Sequence, residues 1–180
     1  VNLSLQLANS NRKEREWTKV YPTYYFEQIK NSAEKVKIDP YLILSVIRQE
    51  SRFNKKATSR VGARGLMQIM PKTGKTLASN LRINNYQRNN LFDPELSIRF
   101  GAYFLSNQIE YFKQSMAPHM CFELSLAAYN AGPHNAQNWL KRFPYTDVDL
   151  FIERIPFKET RLYVKLVLKN YEIYKALSNV

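Results

Sequence analysis

The chain has one cysteine among its 180 residues, so it cannot form an intrachain disulfide. Cys121 lies in an apolar helical run and reads as a small buried hydrophobe rather than a reactive thiol. The lack of disulfides leans towards a reducing compartment without excluding an oxidising one. There are only five glycines and no recurring strand–turn pattern, which favours helices over sheet. Histidine is equally scarce. His119 and His134 stand 15 residues apart beside proline-marked breaks, with no cysteine or carboxylate cluster at ligand spacing, so no metal or other cofactor is expected. No apolar run approaches the roughly 18 residues of a membrane-spanning helix, and no signal peptide is visible. A G-x-S-x-G elbow is missing, which removes the usual hydrolase nucleophile. "GKT" at 74–76 lacks the glycine a phosphate loop needs five positions earlier, where Ile69 stands. No internal repeat or low-complexity tract occurs.

What is present describes a globular chain. Hydrophobic residues make up 44% and aromatics 13%, enough for one domain with a proper core. A formal charge of +12 implies an anionic partner: nucleic acid, a membrane surface or an acidic polymer such as cell-wall material. Twelve tyrosines among many Lys and Arg would suit a stacking, basic nucleic-acid groove. The aromatics, however, fall mostly on helical core stripes, and the basic residues are spread over most helices. No nucleic-acid partner is therefore expected.

Residues 1–20 are polar and charged and read as an arm or linker, and a first residue of Val is expected of a mature or excised segment. Residues 21–180 read as one compact all-α domain. Tyr21-Pro22 is expected to open a helix to about Lys37, with Tyr25, Ile29, Ala33 and Val36 on one stripe. Asp39-Pro40 and Asp93-Pro94 are helix starts, with Asp as N-cap and Pro in the first turn. These helices run to about Phe53 and about Gln114, the second burying Ile98, Gly101, Leu105 and Ile109. Others are expected over 71–80, 121–130, 133–142 and 147–153. "SMAPHM" is a break between two of them, and Gly132 a natural stop. The last helix, 157–177, carries Leu162, Leu166 and Ile173 at helical spacing.

One residue departs from this pattern. Ile43, Val46, Ile47 and Glu50 fall on one face, so a carboxylate is aimed where hydrophobic side chains go. Burial penalises the charged form and raises the pKa, which would suit a proton donor near neutral pH. A solvated or ion-paired glutamate at a helix end fits the same spacing.

The stretches "QESRF", "GARGLMQIMP", "DPELSIRFGAYFL", "LAAYNAGPHNA" and "ERIPFKETRLYV", in this order, closely resemble the catalytic domain of the soluble lytic transglycosylase family, from about Tyr21 to Tyr174. The resemblance implies a goose-type lysozyme-like helical domain that cleaves the β-1,4 bond between N-acetylmuramic acid and N-acetylglucosamine in peptidoglycan glycan strands. Glu50 matches the family's single acid/base. It would protonate the glycosidic oxygen and then accept the proton of the sugar's own C6 hydroxyl, leaving a 1,6-anhydro end. Because the nucleophile belongs to the substrate, the second carboxylate of ordinary glycosidases is not needed. Ser51 follows the acid in the signature and would steady it or cap the helix. Gly62 and Gly65 would let the backbone turn tightly near a sugar. Met67 and Gln68 match the substrate-contacting pair. Tyr129 is expected near Glu50, Asn130 at a sugar or backbone group, and Glu153 in the saccharide groove. Tyr163 would line the groove, and Glu159 would make structural contacts. The loop cations Lys55, Lys56, Arg60 and Arg64 would attract peptide-stem carboxylates or simply be solvated. The resemblance further implies the periplasm or cell envelope, and a helical domain upstream in the full-length chain. The rival readings are a hydrolase on the same fold, with Asp147, Asp149 or Glu153 positioning water, and a glycan-binding module without catalysis.

Overall fold

The structure, a computed structural model, describes residue 17 and residues 19–114, 121–142 and 147–178. Most of the expected arm, the break at 115–120 and His119 lie outside the described residues. The rest is helical, and among the described residues there is no strand beyond two isolated bridges, Thr58–Arg64 and Arg64–Ile69.

After helical residues 17, 19 and 20, the described residues form eight bounded α-helices in order: α1 (Phe26–Val36), α2 (Pro40–Ser51), α3 (Pro71–Asn80), α4 (Pro94–Lys113), α5 (Cys121–Ala131), α6 (Pro133–Arg142), α7 (Val148–Arg154) and α8 (Lys158–Ser178). Both Asp-Pro starts form as expected. Asp39 Oδ1 accepts the amide of Tyr41 at 2.9 Å, and Asp93 Oδ1 that of Leu96 at 2.9 Å. Asp39 does more than cap. Its Oδ2 accepts the Tyr171 hydroxyl at 2.8 Å and Lys175 Nζ at 3.0 Å, which ties the start of α2 to the end of α8.

The first helix starts later than Tyr21-Pro22 suggests. Tyr25 at φ 63 is left-handed and ends any helical path from residue 22, and Tyr21 instead buries its ring edge-on to Tyr174. The second helix stops at Ser51, because Arg52 and Phe53 both take positive φ. A 3-10 turn, Arg88–Phe92, lies where no element is expected.

The core is built around α2, whose residues Leu42 to Ile47 are all buried. The helix packs on α1 and on α8, and α5 touches both α4 and α8. Each fully buried Leu, Ile or Phe side chain here contributes about 1.5–3 kcal/mol. The expected faces of α1 and α4 hold, with Ile29, Ala33, Ile98, Leu105 and Ile109 buried. The face of α8 does not. Leu162 is 57% exposed, and the buried stripe is Thr160, Tyr163, Val164, Val167, Asn170 and Tyr174. The helix is rotated about one residue from the aliphatic reading because its polar members, Thr160, Tyr163 and Asn170, point inward. That rotation brings Tyr163 and Thr160 to the site.

Candidate active site

Glu50 sits in the last turn of α2 and lines a cavity of about 220 Å³ with Ser59, Gln68, Met70, Tyr129, Asn130 and Glu159. A larger cleft, about 640 Å³, lies between α1 and α4, but its walls are mainly solvated side chains such as Gln28, Glu34, Glu95 and Arg99. Volume therefore does not pick out the chemical site. The environment of Glu50 does.

No cation pairs with Glu50 among the described residues. Burial pushes its carboxyl up from 4.5 to about 7; the hydrogen bond from Tyr163 acts downward and the charge of Glu159 upward. The Tyr163 hydroxyl donates to Glu50 Oε1 at 2.7 Å. Tyr129 lies beside the acid, yet its hydroxyl donates to the Met67 carbonyl at 2.8 Å. Burial, then the nearby Glu50 charge, raises both phenols well above 10, so each stays a donor at neutral pH. The result is an acid poised near neutrality, with one oxygen held by a phenol.

Isolated backbone bridges and a glycine fold the loop that supplies Ser59, Gln68 and Met70 to the cavity. Arg64 and Ile69 exchange both backbone hydrogen bonds at 3.0 Å, and Gly65 N donates to Ala57 O at 3.0 Å. Gly65 is held at φ 78 with its Cα against Leu91, where a Cβ would lie 1.9 Å from the carbonyl oxygen. Gly65 therefore serves the packing of the loop on the 3-10 turn and is buried, not offered to a sugar. Gly62, at φ 90, has open space around it and does line up with the expected turn. Gln68, also at positive φ, uses Nε2 to hold the loop through Gly65 O at 2.8 Å and Ala57 O at 3.2 Å, and its Oε1 accepts from no donor among the described residues.

The expected residues divide accordingly. Glu50, Gln68, Tyr129 and Asn130 line one cavity, and Tyr163 holds its acid. Met67 is fully buried, and its backbone N donates to Ser97 Oγ at 3.2 Å. Its side chain belongs to the core, and the methionine on the cavity is Met70, 40% exposed. Ser51 donates to Ile47 O at 3.2 Å, a bond within its own helix rather than to the acid. Glu153 is exposed and salt-bridged to Lys165, which lowers its pKa, and it does not line the cavity. Arg64 is engaged with Asn89 Oδ1 at 2.6 Å and covers Phe92, whereas Lys55, Lys56 and Arg60 are solvated.

Two residues in "FKET" have roles beyond those expected: Glu159, expected to make structural contacts, and Thr160, which the sequence does not single out. Glu159 brings a second carboxylate to the rim of the cavity. Thr160, 2% exposed, donates to Asn130 Oδ1 at 2.7 Å. That bond fixes the amide of Asn130 and leaves its Nδ2 without a partner among the described residues. Both open the last helix, where first-turn groups are expected to cap rather than to act.

Residues 27–152 match the family model described as the transglycosylase SLT domain. The chain is 38% identical over 156 residues to the soluble lytic murein transglycosylase of Escherichia coli K12, covering 86% of this chain and 23% of that protein. Among solved structures it resembles an inactive mutant of the lytic transglycosylase Slt of Pseudomonas aeruginosa, with TM-score 0.80, 36% identity, and coverage of 88% of this chain and 25% of that one. The 70 kDa soluble lytic transglycosylase of Escherichia coli gives TM-score 0.80 and 35% identity over 89% of this chain and 25% of that one. The lysozyme-like helical fold expected from the motifs is the fold of these neighbours. The chain spans about a quarter of the length of the relatives it matches.

Proposed function

The chain belongs to the transglycosylase SLT domain family, and from that premise we propose that it is a peptidoglycan lytic transglycosylase with Glu50 as its single acid/base. The observation that carries the proposal is a carboxyl group in a sugar-sized cavity whose pKa is raised to about 7, held by Tyr163 and paired with no cation among the described residues. Protonated, Glu50 donates to the glycosidic oxygen between N-acetylmuramic acid and N-acetylglucosamine. As the leaving bond breaks and C1 becomes cationic, the Tyr163 hydrogen bond stabilises the new carboxylate. That carboxylate then takes the proton of the muramic C6 hydroxyl, whose oxygen attacks C1 and closes the 1,6-anhydro ring. Glu50 ends protonated and the cycle balances. The Nδ2 of Asn130 and Oε1 of Gln68 supply one donor and one acceptor for the substrate's amide and hydroxyl groups. Peptidoglycan strands, with their anionic peptide stems, suit the charge of +12 and place the enzyme in the periplasm or envelope.

A hydrolase is the second reading. Glu159, not Asp147, Asp149 or Glu153, lines the cavity and would have to position water. Mass spectrometry of peptidoglycan digested by the wild type and by Glu50→Gln separates the two. Products one water lighter than reducing muropeptides, absent with Glu50→Gln, are expected. Reducing ends would replace the proposal with hydrolysis.

A further inference from the structure

We propose that a second cleft, on the side of α2 away from Glu50, is a binding site for a carboxylate-bearing peptide. The cleft has a volume of about 470 Å³ and is walled by α2, α8 and the segment Lys19–Pro22. Arg48 faces it two residues before Glu50, about 200° around a helix of 3.6 residues per turn. Arg52 and Lys19 add two more cations. No carboxylate lines the cleft, and none pairs with these three side chains among the described residues. Three like charges brought to one opening repel each other, and an anion relieves that repulsion.

The cleft is also built, not merely charged. The Arg48 guanidinium lies 4.0 Å over the ring of Tyr21, and Tyr21 meets Tyr174 edge-on at 5.3 Å. The Tyr174 hydroxyl in turn donates to Pro22 O at 2.9 Å, which fixes the wall. Arg48 is thus held in place before any ligand arrives, so little side-chain entropy is lost on binding. The second pointer is Asn170. It is 7% exposed, it lines the cleft, and its amide makes no hydrogen bond among the described residues. Its polar atoms stay accessible from the cleft, where they can donate to and accept from a ligand. Gln49 adds another amide at the mouth and Leu166 an apolar wall.

These groups select the ligand. A phosphate would use the cations and leave both amides and the apolar wall idle. A short peptide uses all of them: its carboxylates meet Arg48, Arg52 and Lys19, its peptide groups meet Asn170 and Gln49, and a small aliphatic side chain lies on Leu166. That such peptides are the stems of peptidoglycan rests on the proposed function. The binding itself does not, and a neighbouring stem held here would anchor the enzyme to the wall while Glu50 acts on the opposite side of the helix.

The probe is a sugar-free peptide, acetyl-Ala-Glu-Ala with both carboxylates free, titrated into the ¹⁵N-labelled protein and followed by NMR. The side-chain signals of Asn170 and Arg48 should move, and the fully amidated peptide should move them at least tenfold less effectively. Lys19→Gln/Arg52→Gln, two exposed positions, should weaken binding at least tenfold, and Glu50→Gln should leave it unchanged. Equal responses to inorganic phosphate or to the amidated peptide would overturn the proposal, as would no response at Asn170. Because the peptide has no glycosidic bond, either result is independent of whether the protein cleaves glycan.

Discussion

Tyr163 reaches across 113 positions of chain to donate its hydroxyl to Glu50 Oε1 at 2.7 Å. The bond favours the charged carboxylate, so it opposes the burial that raises the pKa to about 7. Tyr163→Phe keeps the ring and removes only the donor. A hydrogen bond to a charged group contributes about 1.5–3 kcal/mol, or roughly one to two pKa units. The pH–rate profile on peptidoglycan should therefore lose activity above about pH 7 in the wild type, and the alkaline limb should move upward in Tyr163→Phe while kcat falls. An unmoved limb would show that Tyr163 does not govern the acid.

Glu159 acts in the opposite sense. Its charge raises the pKa of Glu50, less than burial does. Glu159→Gln should shift the same alkaline limb to lower pH, by less than Tyr163→Phe shifts it upward, because Glu159 is exposed and its field is screened by solvent. The products should remain 1,6-anhydro ends. Reducing ends from the wild type, lost together with turnover in Glu159→Gln, would instead identify Glu159 as the base that positions water.

Much of this site was legible in the sequence, for a physical reason. A glutamate on an apolar stripe breaks a strong periodic rule, so Glu50 stands out, and the Asp-Pro signals mark the starts of the helix that carries it and of α4. The rotation of α8 was not legible. Aliphatic spacing favoured Leu162 and Leu166, whereas the helix buries Thr160, Tyr163 and Asn170, whose polar groups bond or face other elements 30 or more residues away or line the second cleft. Nor was the division of labour between Met67 and Met70. Two methionines three residues apart look alike in sequence, and only the loop's folding on Ser97 and Tyr129 sends one into the core.

Thr160 tests that hidden layer. Its hydroxyl holds Asn130 Oδ1, so the free Nδ2 points at the cavity in one orientation. Thr160→Val is nearly isosteric and should raise KM several-fold with a smaller change in kcat, since binding geometry is lost and the acid is untouched. Thr160→Ser restores the donor and should return KM towards the wild type. Equal damage from both variants would mean that Thr160 serves packing alone.

The two loop glycines should differ in cost. Gly62→Ala meets only the left-handed backbone, φ 90, with open space around it, and should destabilise by about 1 kcal/mol. Gly65→Ala meets φ 78 and a carbonyl oxygen 1.9 Å from the new Cβ. The loop must leave the 3-10 turn, and the Arg64–Ile69 bridge and the Gln68 bonds go with it. Urea unfolding should show a loss at least twice that of Gly62→Ala, with activity falling further than stability, because Gln68 and the Tyr129 anchor sit on the same loop.

Burial of Glu50 also has a stability signature, and its sign is fixed. The folded pKa of about 7 lies above the ordinary 4.5, so the fold holds the proton more tightly than the unfolded chain does. The contribution is fully present below about pH 4.5 and is lost as pH rises through 7. The shift corresponds to about 3 kcal/mol at most, at 1.36 kcal/mol per unit. Glu50→Gln carries no titrating group, so its stability relative to the wild type should increase steadily between pH 4.5 and 7.5 and level off beyond. Urea unfolding of both proteins at pH 4, 6 and 8 measures this difference. A difference that did not change with pH would mean that the carboxyl is solvated in the fold, and the acid role assigned to Glu50 would lose its physical basis along with it.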